Sequence, residues 1–258
     1  MRIAIAGKGG AGKTTISATF ARLAASNGTQ VVAVDADANP NLAIALGMSL
    51  EDAAALKPIP PAMVSRRLDG AGLTEPLDEI IERYALRGPD GIRLFGMGAP
   101  GHADEGCLCS AHAVVSAVLE DLGNRPDAVV VVDMEASPEH LSRGTVRHAD
   151  ILCLVAEPYY RSLETVRRMA QLASELPIKK IVVIANKVRS STDHEALEEF
   201  CEQHRLELIG AVPWSDHVVA ADRARVSVVD ASDTDDFVRA VHSVAETLEL
   251  LGNVPADL

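Results

Sequence analysis

The chain has 258 residues, 48% of them hydrophobic but only 3% aromatic, so one α/β core must be built from Ala, Val, Leu and Ile. A formal net charge of −13 argues against bulk electrostatic binding to nucleic acid or anionic lipid. No apolar run approaches the ~20 residues of a membrane span.

The opening, MRIAIAGKGG, is a strand entering a glycine loop. It carries lysine and glycine where a signal peptide would have its apolar region and cleavage site. The protein is therefore expected in the cytoplasm, with its four cysteines used for chemistry or core packing rather than disulfides. Apolar, β-branched runs at Ile3–Ala6, Val31–Val34, Val129–Val132, Ile151–Val155, Ile181–Ala185 and Leu206–Val212 predict buried parallel strands. Helical patterns near 14–26, 111–122, 161–174, 193–204 and 233–250 alternate with them. That alternation predicts a doubly wound, mainly parallel sheet with helices on both faces, a single domain over 1–258. Residues 48–105, rich in proline and glycine, break the rhythm. They predict an irregular, insertion-like region with one helix near 75–85 and one strand near 92–96, running into a Cys-x-Cys loop.

Residues 7–15 read Gly7-Lys8-Gly9-Gly10-Ala11-Gly12-Lys13-Thr14-Thr15. This is GxxxxGK(S/T) between a predicted strand and a predicted helix, the P-loop pattern of nucleoside triphosphate binding. The glycines let successive N–H groups face one point, and the helix start adds its positive end. Lys13 is expected on the β- and γ-phosphates, Thr14 on Mg²⁺, and Gly9 to Thr15 around the nucleotide. A lysine at position 8 cannot easily serve the same phosphates from within its own loop; the alternative is a solvated surface lysine.

Acidic residues end two predicted strands, Asp35 and Asp37 after Val31–Val34 and Asp133 after Val129–Val132. Ligands of open α/β sheets sit beyond such carboxyl ends. Asp133 is expected to hold Mg²⁺ through water, with Asp35 supporting the ion from further out. For Asp35 and Asp37 the alternative is helix capping near Asn39-Pro40-Asn41. Asn186-Lys187 follows the strand Ile181–Ala185, but Arg189 stands where a guanine site of the NKxD type needs an acid. ATP is favoured over GTP.

Cys107 and Cys109 flank Leu108, just before Ser110, a plausible cap for the following helix. Thiols near the positive end of a helix favour the thiolate, a soft ligand for Zn²⁺, Ni²⁺ or Cu(I). Two thiolates are half of a four-coordinate site, and a two-fold dimer would supply the other half. The alternative is two incidental buried cysteines. Cys153 and Cys201 read as core residues, and His102 and His112 as solvated or capping histidines.

Residues 133–145, Asp133-Met134-Glu135-Ala136-Ser137-Pro138-Glu139-His140-Leu141-Ser142-Arg143-Gly144-Thr145, resemble the DMEAGIEHLGRGT switch II segment of CooC-type proteins. Those are nickel-handling ATPases that mature carbon monoxide dehydrogenase, within the MinD/ArsA/nitrogenase-iron-protein superfamily of deviant P-loop ATPases. The loop GKGGxGKTT, Glu157-Pro158, Ser162 to Thr165, Asn186-Lys187-Val188 and the cysteine pair fit as well. The resemblance covers most of the chain and is weakest across 48–92. It implies a homodimer formed on ATP or metal binding, in which Lys8 crosses to the partner's nucleotide. It implies Asp37 as the residue that positions the attacking water, and Asn186 with Val212 to Asp216, including Pro213, near adenine. It also implies Ni²⁺ or Zn²⁺ at Cys107 and Cys109 of both chains, and a client metalloenzyme such as carbon monoxide dehydrogenase. The chain departs from the family at Ser137, where relatives carry a switch II glycine, and Pro138 stiffens the segment further. Slower hydrolysis is expected.

Two other classes are weighed on the same residues. A positioning ATPase of the ParA/MinD kind needs a basic DNA-facing patch or a C-terminal amphipathic membrane helix, and Glu246–Leu258 is acidic and contains Pro255. No nucleic acid and no integral membrane association are expected. An iron–sulfur reductase component needs two well-separated cysteines per subunit, which Cys-x-Cys does not supply.

Overall fold

The computed structural model describes residues 1–67, 70–98, 109–125, 127–231 and 236–252. His102 and Cys107 lie outside them, and Cys109 is described only as the first residue of a helix.

The chain opens with β1 (Arg2–Gly7), α1 (Lys13–Ser26) and β2 (Gln30–Ala36). Short helices α2 (Leu42–Ala45) and α3 (Leu50–Ala54) follow, then a hairpin of β3 (Val64–Arg67) and β4 (Gly70–Leu73). Next come α4 (Leu77–Tyr84), β5 (Leu86–Arg87), β6 (Arg93–Gly96) and α5 (Cys109–Leu122). The second half runs β7 (Ala128–Met134), α6 (Glu139–Ser142), β8 (Ile151–Ala156), α7 (Tyr160–Ala173), β9 (Lys180–Val188) and α8 (Ser191–His204). It closes with β10 (Glu207–Pro213), α9 (Asp216–Ala224), α10 (Val228–Ala231) and α11 (Asp236–Gly252).

Among the described residues eight strands form one sheet in the order β10-β9-β8-β1-β7-β2-β6-β5, parallel throughout except for the antiparallel pair β5–β6. Both faces are covered, which is why its strands read as unbroken apolar runs rather than alternating ones. Alternate residues feed two cores. Ala4, Val32, Val130 and Leu152 pack with Val118 and Leu122 of α5 and Val166 of α7. Ile3, Val31, Val129 and Cys153 pack with Ile16 and Phe20 of α1 and Val241 of α11. Cys153 and Cys201 are both buried among these apolar side chains, which pushes both thiols up. Ser190 and Ser215 cap α8 and α9 by accepting from Asp193 N (3.2 Å) and His217 N (3.1 Å).

Residues 48–105 contain more than one helix and one strand. The predicted helix and strand are α4 and β6, and the latter joins the main sheet beside β2. The added elements are short and carry little periodicity: α3, the β3–β4 hairpin with Arg66-Arg67, and the two-residue β5 that closes the sheet edge. Buried Arg22 of α1 donates to Asp90 Oδ2 of this region (2.7 Å) and, outside it, to the Leu46 carbonyl (2.8 Å) and both oxygens of Asp230 (3.0 and 2.7 Å). Among the described residues no helix is long and apolar enough to cross a membrane.

Candidate functional site

The carboxyl ends of β1, β2, β7, β8 and β9 share one edge of the sheet, and the glycine loop 7–12 lies on it. Two glycines there are dictated by space as well as by backbone. At Gly7 (φ 148°) a Cβ would sit 2.5 Å from the Val155 carbonyl oxygen of β8. At Gly12 (φ 94°) it would sit 2.4 Å from Asn186 Nδ2. Gly12 also ends the loop, so the N–H groups of Lys13, Thr14 and Thr15 begin α1 without a side-chain cap. Exposed Gly9 approaches switch II, its would-be Cβ 3.5 Å from Ala136 Cβ. Exposed Gly10 (φ 81°) and buried Ala11 complete the curl, with Ala11 N donating to the Lys8 carbonyl (3.1 Å).

Lys13 is buried, and its Nζ reaches the Lys8 carbonyl at 3.4 Å. Burial lowers its pKa, opposed by the charges of Asp133, Asp37 and Glu135. Asp133 faces the start of α1: Ser17 Oγ donates to its Oδ1 (3.1 Å), and the Thr14 hydroxyl donates to the same carboxylate. Asp35 pairs with Asp133 in register across β2 and β7. Burial pushes both carboxyls up, Asp133 to about 7 and Asp35 to about 6. Two buried carboxylates side by side, with a threonine hydroxyl on one of them, are hard oxygen donors whose charge a divalent cation would offset. This donor set fits Mg²⁺.

The capping alternative describes Asp35. Its Oδ2 accepts from Leu42 N (2.8 Å) and its Oδ1 from Asp37 N (3.3 Å), so it shapes the loop that carries Asp37. Asp37 is half-buried, and its Oδ1 accepts from Asn39 N (2.8 Å). Ser137 is half-buried in a bend after β7, and the Pro138 carbonyl starts α6 by accepting from Leu141 N (3.1 Å) and Ser142 N (3.0 Å).

Beside the loop lies a cavity of about 250 Å³. Gly12, Thr15, Asn186, Pro213, Trp214 and Phe237 are among its lining residues. Asn186 Nδ2 donates to the Ala11 carbonyl (2.6 Å), while its Oδ1 is buried without a hydrogen-bond partner among the described residues. An orphaned acceptor in an apolar slot fits a base that presents an amino group, as adenine does. Arg189, at the position where a guanine site needs an acid, lies over the Trp214 ring with its guanidinium carbon 4.0 Å from the centroid. Asp216 does not line the cavity. It is exposed and accepts from Trp214 Nε1 (3.1 Å) at the start of α9.

One group of residues bearing on the loop was not singled out as such from the sequence. Lys187, at φ 59°, donates to the Gly10 carbonyl and pairs with Glu157 Oε1 at 2.7 Å. Glu157 Oε2 accepts from the Tyr159 hydroxyl (2.7 Å), and the Lys8 ammonium sits 5.8 Å from the Tyr159 ring centroid. The ends of β8 and β9 thus brace the glycine loop from outside. The only sequence signal was that Glu157-Pro158 and Asn186-Lys187 each follow an apolar strand.

A sheet of this topology, with a glycine loop between β1 and α1 and acidic strand ends beside it, defines a P-loop nucleotide-binding protein. The chain belongs to the CobQ/CobB/MinD/ParA nucleotide-binding domain family, whose profile matches residues 3–228. It is similar to the carbon monoxide dehydrogenase accessory protein CooC of Rhodospirillum rubrum, with 38% identity over 241 residues covering 90% of each chain. Among solved structures it resembles the cell division ATPase MinD of Pyrococcus furiosus, with a TM-score of 0.71 over 97% of this chain and 98% of that one, at 18% identity. It also resembles MinD of Pyrococcus horikoshii in complex with Mg-ADP, with a TM-score of 0.68 over 100% and 99% of the two chains, at 18% identity. The likeness to CooC that residues 133–145 suggest thus extends along most of the chain.

Proposed function

We propose that this protein is an ATP-dependent dimeric metallochaperone. It takes up a soft divalent metal, Ni²⁺ or Zn²⁺, at the cysteine pairs of two subunits and aids maturation of a metalloenzyme such as carbon monoxide dehydrogenase. The observation that carries this reading is the 38% identity to an accessory protein of that enzyme over nine-tenths of both chains. The Cys107-Leu108-Cys109 sequence, with Cys109 the first residue of α5, supports it.

In this reading Lys13 and the amides of Gly9 to Thr15 hold the triphosphate. Thr14 and Asp133 hold Mg²⁺, which neutralises charge on the phosphates. Asn186 accepts from the adenine amino group, with Pro213 beside the base. Asp37 orients a water whose oxygen attacks the γ-phosphorus while the bond to the ADP oxygen breaks, giving ADP and phosphate. Lys8 of each subunit reaches the partner's nucleotide, so ATP closes the dimer and brings the four thiolates together. Hydrolysis opens it and releases the metal to its client. Ser137 and Pro138 restrict switch II and slow the step.

The test is metal analysis and oligomer mass with and without ATP, on wild type and on Cys107→Ala with Cys109→Ala. The double variant is expected to lose metal-bridged dimers and to keep ATP binding. If it still binds one metal per dimer tightly, the site lies elsewhere.

A further inference from the structure

His112 lies three residues after Cys109, in the first turn of α5, and it is buried rather than solvated. Its ring is buried, and its Nδ1 is 3.0 Å from the Thr145 hydroxyl. It meets the His140 ring edge-on, with centroids 4.4 Å apart and planes at 77°. His140 is fully buried on α6, inside the segment that follows Asp133, and its Nε2 lies 3.9 Å from Glu135 Oε2. Thr145 N donates to the His140 carbonyl (2.9 Å), so one turn of chain presents both His140 and Thr145 to His112.

At the other end of this run, Glu135 acts electrostatically on Lys13. The run therefore goes from Glu135, whose charge Lys13 feels, through two imidazoles in contact to α5, whose first residue is Cys109. Two buried imidazoles carry a desolvation cost that apolar residues of similar size would not. What they add is polar ring nitrogens, one of them already meeting the Thr145 hydroxyl, inside a core that shifts between discrete packings rather than deforming smoothly.

We propose that His140 and His112 are positioning residues that transmit the state of switch II to the first turn of α5. The residues between Asp133 and Thr145 would adopt one arrangement with ATP bound and another without it, and the histidine pair would carry that difference to Cys109. The purpose of the link, control of metal affinity, rests on the metallochaperone reading; the link itself does not. Because coupling is reciprocal, metal at the cysteines would change ATP affinity by the same factor.

The experiment compares wild type, His140→Phe and His112→Gln as full chains. Amide exchange over residues 110–116 is followed with and without Mg²⁺ and a non-hydrolysable ATP analogue, and Zn²⁺ is titrated under the same two conditions. In wild type the analogue is expected to change exchange in α5 and zinc affinity, each by about tenfold. In His140→Phe both responses are expected to fall to about twofold or less, with the analogue's own Kd within about threefold of wild type. An unresponsive α5 in wild type, or an undiminished response in both variants, overturns the inference. An α5 that responds through His140 in a protein that binds no zinc upholds the link and sinks the metallochaperone reading. Should His140→Phe fail to fold, His112→Gln decides, because it keeps a polar atom near Thr145 while losing the ring.

Discussion

Glu157 and Lys187 show what a single pair can do for a loop neither belongs to. Their bridge (2.7 Å) stands at the ends of β8 and β9, and Lys187 also donates to the Gly10 carbonyl. Glu157 is buried, so its charge is worth more than that of an exposed partner. Glu157→Gln keeps the volume and removes the charge that holds Lys187. It is expected to raise the Kd for ATP by about three- to tenfold in calorimetry, which is about 0.7–1.4 kcal/mol. An unchanged Kd would mean that the brace does not organise the loop. The glycine loop itself was legible in sequence because its chemistry is local. The brace was not, because the spacing of two residues on different strands does not say that they will meet over a third segment. The Asn186 Oδ1 orphan was hidden for a related reason: a sequence names the amide but not which end is already engaged.

At the scale of elements, the central strands are tied together at both ends. At the carboxyl end Gly7 lets β1 approach β8. At the opposite end Asp150 accepts from Arg2 N (2.9 Å), Arg2 Nη2 (3.0 Å) and Lys179 Nζ (3.1 Å), linking the starts of β1, β8 and β9. Burial alone would raise the Asp150 carboxyl, but the hydrogen bonds from Arg2 and Lys179 outweigh it and hold the group at about 2. A carboxyl held below its unfolded value of about 4 contributes stability that is full above pH 4 and is lost as pH falls through about 2. Asp150→Asn is therefore expected to cost about 1–2 kcal/mol in urea unfolding at pH 7. The gap from wild type should narrow between pH 4 and pH 2; a constant gap would assign the loss to packing. The strands joined here were the most readable part of the chain, since burial on both faces leaves a continuous apolar run. The hairpin β3–β4 and the two-residue β5 were unreadable because neither is long or apolar enough to show a period. Helix α9 lies outside the predicted helical patterns although Ser215 caps it, because it buries only Ala221 and so shows little apolar period.

For the whole molecule the informative residue is Lys8. Its ammonium lies over the Tyr159 ring, and the exposed Tyr160 is next along the chain. If the catalytic site is shared between two copies, Lys8→Ala should leave ATP affinity within about threefold, because its own nucleotide does not depend on it. Hydrolysis should fall by about 100-fold or more, and ATP-dependent dimers should disappear from light scattering. A monomer that still turns over ATP at the wild-type rate would contradict the composite site. The family and the sheet could be read from the sequence at this scale. The burial of His112 and His140 could not, because it depends on α5 and α6 packing together across one face of the sheet.

The placement of β1 also sets the timing of assembly. It lies in the middle of the sheet, yet both its neighbours, β7 and β8, come more than 120 residues later in the chain, and Arg2 meets Asp150 across a separation of 148 residues. The strand that feeds the glycine loop therefore cannot be paired on either side until β7 has been made. At about 5–20 residues per second, that interval is on the order of ten seconds of synthesis. An emerging chain must keep Ile3, Ile5 and its other apolar neighbours from aggregating for that time, and it cannot hold ATP. Nucleotide capture is thus confined to molecules whose central strands are complete.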